Sequence, residues 1–128
     1  ENKIKNIKYD GNLNANELSK WYKKLDLYIQ ASKGEGCSMA ILEAISNGTP
    51  FIGSNVSGIK NLKFLYKRKI LFDNNINDLK LKILKFKSLK YSERKKFVNL
   101  QRQILNKYYL DSKMIKKYEH LYYKILNY

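Results

Sequence analysis

Four short apolar runs, separated by helical stripes, constrain this chain more than any other feature. They are Ile4 to Tyr9, where Ile4, Ile7 and Tyr9 stand among polar residues, and the continuous runs Leu27 to Ile29, Pro50 to Gly53 and Ile70 to Phe72. Each is too short for a helix and is bounded by turn or polar residues, such as Asp10-Gly11-Asn12 after the first. Between the first two runs, Asn14-Ala15-Asn16-Glu17 is a helix-start signal, and Leu18, Trp21, Tyr22 and Leu25 follow at i, i+3, i+4 and i+7. Between the second and third lies a helix from Ser38 to Ser46, closed by Asn47-Gly48. Ile59 to Lys69 reads as a further short helix. After the fourth run, one helical face carries Ile76, Leu79, Ile83 and Phe86. The next, from Ser92 towards Tyr108, carries Phe97, Leu100, Ile104 and Leu105, and the last carries Met114, Ile115, Tyr118, Leu121, Tyr122, Ile125 and Leu126. Short apolar strands alternating with helices predict an α/β domain with a parallel sheet. Such sheets bind ligands at the carboxyl ends of their strands, which directs attention to the loop Ala31 to Cys37.

A length of 128 residues allows one domain, and no repeat or long linker divides it. The single cysteine, Cys37, excludes an internal disulfide framework. No run approaches the roughly 20 apolar residues of a membrane span, and the first residues lack the zones of a signal peptide. A cytoplasmic protein is expected, with peripheral contact at the inner membrane face as an extension. The net charge is +15, from 26 basic and 11 acidic residues. It fits an anionic membrane or a phosphorylated ligand, and equally a bias towards Lys, Asn, Ile and Tyr spread over nearly every helix. Nucleic acid is not an expected partner, because the aromatics follow helix stripes rather than forming a stacking platform. One Cys and one His offer no metal-ligand spacing, so no metal is expected. His120 reads as a surface residue, and no base is placed beside Cys37 to make it a nucleophile.

The helix Met39 to Ile45 is apolar almost all round, so burial on most sides is expected, yet Glu43 lies within it. A buried carboxylate needs a partner, and a ligand hydroxyl would serve. A lysine salt bridge, or a helix rotation that exposes Glu43, would serve equally. Upstream, Glu35 sits between Gly34 and Gly36, glycines that let the backbone approach a ligand closely. The free amides around Cys37, Ser38 and Met39 form an anion site suited to phosphate. Glu43 lies roughly 7–8 Å along the helix from that start, at 1.5 Å per residue. A diphosphate on the amides would therefore leave a ribose near Glu43, and a further sugar near Glu35. A solvated turn acid remains the plain alternative for Glu35.

The ordered set Gly34-Glu35-Gly36-Cys37-Ser38-Met39-Ala40-Ile41-Leu42-Glu43-Ala44, then Asn47-Gly48-Thr49-Pro50, resembles the C-terminal lobe signature of the retaining GT-B glycosyltransferases of group 1. Tyr9 to Leu13, the Leu18 to Leu25 helix, Asp26 to Ser32 and the tail from Tyr108 extend the resemblance over nearly the whole chain. It implies an α/β fold with a Rossmann-like parallel sheet, the C-terminal lobe of a GT-B fold. It further implies a nucleotide-sugar donor of UDP or GDP type, no cofactor, and retaining transfer of a hexose-type sugar to a glycan or lipid-linked acceptor. Glu35 would contact the donor sugar as the catalytic-site acid, and Gly36, Cys37, Ser38 and Met39 would face the sugar and diphosphate. Glu43 would hold the ribose, while Gly11, Asn12 and Leu13 would line the base.

Against the family pattern, the acceptor-binding N-terminal lobe and the first strands of this lobe are missing. The expectation is thus a partial lobe over 1–128, inactive alone, with 109–128 meant to pack on the absent lobe and prone to self-association. Two rival readings are an accessory sugar-nucleotide-binding subunit of a split transferase, and a same-fold nucleotide-sugar epimerase, whose pocket signature differs around the two glutamates.

Overall fold

A computed structural model describes residues 6–62 and 70–127. Its elements are α1 (Ala15–Lys23), β1 (Tyr28–Gln30), α2 (Met39–Ser46), β2 (Phe51–Ser54), α3 (Ser57–Lys60), β3 (Leu71–Phe72), α4 (Ile76–Ser88), α5 (Tyr91–Tyr108) and α6 (Asp111–Leu126). The strands form a parallel sheet in the order β1-β2-β3, with Tyr28 opposite Phe51, Ile29 opposite Ile52 and Ser54 opposite Phe72. The expected α/β parallel architecture is present and is Rossmann-like.

Local chemistry sets the helix limits. Asn14 accepts from the amides of Asn16 and Glu17, both at 3.1 Å, and Glu17 returns a contact to the Asn14 amide at 2.9 Å. This reciprocal cap satisfies donors that the first turn of α1 leaves open. Asn75 caps α4 through the Asp78 amide at 2.8 Å. Gly48, at φ +86°, ends α2 in the left-handed conformation, and its amide bonds the Ile45 carbonyl at 2.9 Å. Between α4 and α5 the chain is extended at Leu89 and Lys90. Arg94 pins that elbow by donating to the carbonyls of Leu89 (3.1 Å) and Lys87 (2.7 Å) while lying over the Phe86 ring.

The main core joins Ile41, Leu42 and Ile45 of α2 to Phe51 of β2, Ile59 of α3, and Ile104 and Leu105 of α5. Gln101, on the same helix, is 3% exposed, and among the described residues neither of its side-chain polar atoms has a hydrogen-bond partner. Leaving buried polar atoms unpaired costs about 1–3 kcal/mol, so Gln101→Leu is expected to raise stability by up to about that amount. A urea titration checks this; a lowered midpoint would mean the amide is satisfied in solution, by water for instance.

Three expectations are corrected. Residues 6–9 of the first apolar run form no strand, and Ile7 and Tyr9 are 75% and 89% exposed. Alternation suits a strand only where a neighbouring strand supplies hydrogen bonds, and β1 does not pair with this run; Ile4 and Lys5 lie outside the described residues. The helix expected over 59–69 begins earlier, with α3 at Ser57–Lys60, and 63–69 lie outside the described residues. Ile76, expected on the packed face of α4, opens that helix at 83% exposure. Helix α6 has no buried residue, so its stripe from Met114 to Leu126 is exposed throughout.

Candidate functional site

The carboxyl ends of all three strands open on one side, and the loops that follow them are tied together by polar side chains. Ser54 in β2 accepts from the Ser32 amide at 3.0 Å and donates to the Ser32 carbonyl at 2.7 Å. Asn74, after β3, donates to that same carbonyl at 3.1 Å. Asn55 bonds Asp73 at 3.2 Å, joining the ends of β2 and β3. The loop after β1 is therefore fixed at its root.

Glu35 is half-buried on that loop. Its Oε1 accepts from Gln30 Nε2 at 2.8 Å and from Ser32 Oγ at 2.7 Å. Gln30 in turn bonds Ser32 Oγ at 2.7 Å and accepts from the Tyr28 hydroxyl. The backbone of Glu35 and Gly36 passes directly over α3: a Cβ on Gly58 would lie 2.1 Å from the Gly36 oxygen and 2.2 Å from the Glu35 oxygen. Gly58 is thus the platform on which the glutamate loop rests.

Glu43 is exposed, because α2 buries Ile41, Leu42, Ala44 and Ile45 and turns Glu43 outward between them. The expected burial of α2 on most sides is corrected accordingly, and Met39 is exposed as well. Of the alternatives open from sequence, rotation out of the core is the one realised. Glu43 Oε2 accepts from the Tyr22 hydroxyl at a long 3.4 Å. Tyr22, from α1, meets Tyr28, from β1, edge to face at 5.6 Å, and Thr49 donates to the Tyr22 carbonyl at 2.5 Å. Hydrogen bonds thus link Glu35 to Tyr28 through Gln30 and Glu43 to Tyr22, and the two tyrosine rings meet edge to face between them.

Electrostatics agree with that placement. Burial pushes the Tyr28 hydroxyl above its ordinary range, and the negative charges of Glu35 and Glu43 push it further. Burial likewise raises Tyr22, with Tyr28 and Glu43 adding to it. Both hydroxyls remain protonated donors through the neutral range.

At the start of α2, Ser38 occupies the cap position, but its side chain does not cap the helix. The first amides of α2 thus have no partner from that side chain. Cys37 is exposed beside them and Ser38 is buried. A Cβ on Gly34 or Gly36 would meet nothing within 4 Å, so the space over this loop is open. The turn Gly11 to Leu13 lies at the other end of α1 from Tyr22, roughly 12 Å away along the helix; Gly11 has φ +68°, and only Leu13 of the three is partly buried. The structure thus links Glu35 and Glu43 through side chains, while the turn at Gly11 to Leu13 is tied back along α1 by Trp21, which donates to Asp10 at 2.9 Å and packs on Tyr22.

Sequence reasoning missed Tyr22, Tyr28, Gln30, Ser32, Ser54 and Gly58 as site residues. The adjacent polar side chains Gln30 and Ser32 at the end of an apolar strand were the available signal. A cleft of about 610 Å³ lies apart from this site, between α4 and α5 over Ile52, and none of the expected site residues lines it. Among the described residues no group of three or more His, Cys, Asp or Glu could hold a metal, and no helix is long and apolar enough to cross a membrane.

A three-stranded parallel sheet flanked by helices, with Glu35 and the start of α2 at the carboxyl ends of its strands, defines a Rossmann-like α/β domain. Residues 1–104 match the family described as Glycosyl transferases group 1, and the chain belongs to that family. Protein CapJ of Staphylococcus aureus is 47% identical over 55 residues, which are 41% of this chain and 14% of CapJ's length.

Proposed function

We propose that this chain is the donor-binding lobe of a retaining GT-B hexosyltransferase. The observation that carries the reading is the pairing of an anchored Glu35 with an outward Glu43 on either side of the open α2 start, in a chain of the group 1 family. The donor is a nucleotide-diphosphate sugar. Amides from Gly36 to Met39 receive the diphosphate, where the helix dipole favours negative charge. Glu43 takes the ribose hydroxyls, Glu35 takes hydroxyls of the transferred sugar, and Gly11 to Leu13 line the base. As the sugar–phosphate bond breaks, charge grows on the leaving diphosphate, and fixed amides stabilise it without reorganising. The carboxylates orient the sugar rather than attack it.

Acceptor choice belongs to a second lobe, and the exposed stripe of α6 is the surface that meets it. The net charge of +15 supports contact with an anionic membrane surface that presents a lipid-linked acceptor. Titration with UDP, GDP and ADP tests the donor site. Glu43→Ala is expected to weaken the preferred nucleotide by about tenfold or more, the loss of one or two charge-assisted hydrogen bonds. Affinity unaffected by Glu43→Ala would remove the ribose assignment.

A further inference from the structure

The hydrogen bonds around Glu35 divide the work of its two oxygens. Oε1 receives both Gln30 Nε2 and the Ser32 hydroxyl, whereas no hydrogen bond from the described residues falls on Oε2. The amide of Gln30 can point only one way. Its oxygen accepts the Tyr28 hydroxyl proton, so its NH2 group faces Ser32 and Glu35. A flipped amide would set oxygen against carboxylate oxygen. Ser32, the second donor, is held by its own backbone through Ser54 and Asn74. The Glu35 carboxylate is therefore locked at one oxygen by a support built from β1 itself.

We propose that Gln30, oriented by Tyr28, is a positioning and specificity-determining residue: it commits Oε1 of Glu35 to the protein and leaves Oε2 as the single acceptor presented to the donor sugar. This rests on the donor-site reading above. A carboxylate oxygen is an acceptor only, so the site selects a sugar that places a hydroxyl there and disfavours one that is deoxy at that position. Gln30 itself touches no ligand.

Two measurements on the full chain separate this role from a merely structural one. The first needs no donor: the side-chain carboxyl carbon of Glu35 is followed by NMR in chain labelled at glutamate. Gln30→Leu and Tyr28→Phe are both expected to move the Glu35 signal and leave that of Glu17, in the α1 cap, in place. The second compares affinities for UDP and UDP-glucose, and for GDP and GDP-mannose. Gln30→Leu is expected to leave the nucleotide within about twofold and to weaken the matching nucleotide sugar by about tenfold, the share of one hydrogen bond to a charged group. Gln30→Glu, of similar size, is expected to weaken it further by setting like charges together. An unmoved Glu35 signal in folded Gln30→Leu, or equal losses for nucleotide and nucleotide sugar, overturns the proposal. A Glu35 signal that moves in a chain binding none of the four probes supports the anchoring by Gln30 and overturns the donor reading alone.

Discussion

Gly58→Ala is expected to displace the Glu35–Gly36 loop and to destabilise the protein by about 1–3 kcal/mol, the usual cost of forcing atoms into a packed position. The added Cβ would stand 2.1 Å from the Gly36 oxygen and 2.2 Å from the Glu35 oxygen. Both are backbone atoms, so no side-chain rotation relieves the overlap. Either α3 retreats from β2, where Ile59 packs against Gly53, or the loop lifts and carries Glu35 away from Gln30 and Ser32. The first outcome lowers the denaturant midpoint; the second moves the Glu35 carboxyl signal and weakens nucleotide-sugar binding. Gly34→Ala is the control, because its Cβ meets nothing within 4 Å, and its stability should change by no more than about 0.5 kcal/mol. If Gly58→Ala altered neither midpoint nor signal, the close approach of loop and α3 would not exist in solution.

Phe51→Ala should have the largest effect on folding, a loss of about 3–5 kcal/mol. Phe51 is fully buried on the central strand, pairs with Tyr28 across the sheet and belongs to the core with Ile41, Ile45 and Ile104. Removing its ring leaves a cavity between sheet and helix that neighbours on three elements cannot close together. A domain of this size holds only about 5–15 kcal/mol in total, so the variant should be partly unfolded at modest urea or temperature. Circular dichroism against urea measures it, with Ile76→Ala as the exposed comparison. A shift below about 1 kcal/mol would mean that Phe51 is not in the core.

Helix limits and element types were legible in the sequence because their causes are local. Asn14 with Glu17, Asn75, and Gly48 act on backbone groups within a few residues, and a stripe such as Phe97, Leu100, Ile104 and Leu105 needs only the helical period. The loop from Ala31 to Cys37 was legible for the same reason, as a junction between a strand and a helix. Strand pairing is not local. Residues 6–9 have a strand-like pattern, but pattern supplies no hydrogen-bonding neighbour.

Glu35 and Glu43 stood out as candidates by residue type and position, and the ordered motif around them gave the resemblance that assigned their roles. Their states were not. That Glu43 faces outward follows from which side of α2 meets Phe51 and Ile104, a matter of packing between distant segments. That Glu35 is held by one oxygen follows from Gln30 and Ser32 converging where β1 ends, and from Gly58 leaving room for the loop to cross α3. The sequence by itself determined most of the helices, the three paired strands and the position of both acids, since propensity, capping and periodicity act over a few residues. Only the tertiary structure decided which oxygen is anchored and which acid is exposed: Gln30 and Ser32 lie close to Glu35 in the chain, but the loop that aims them at it is held by Ser54 and Gly58, and Glu43 meets Tyr22, all contacts between groups 20 or more residues apart.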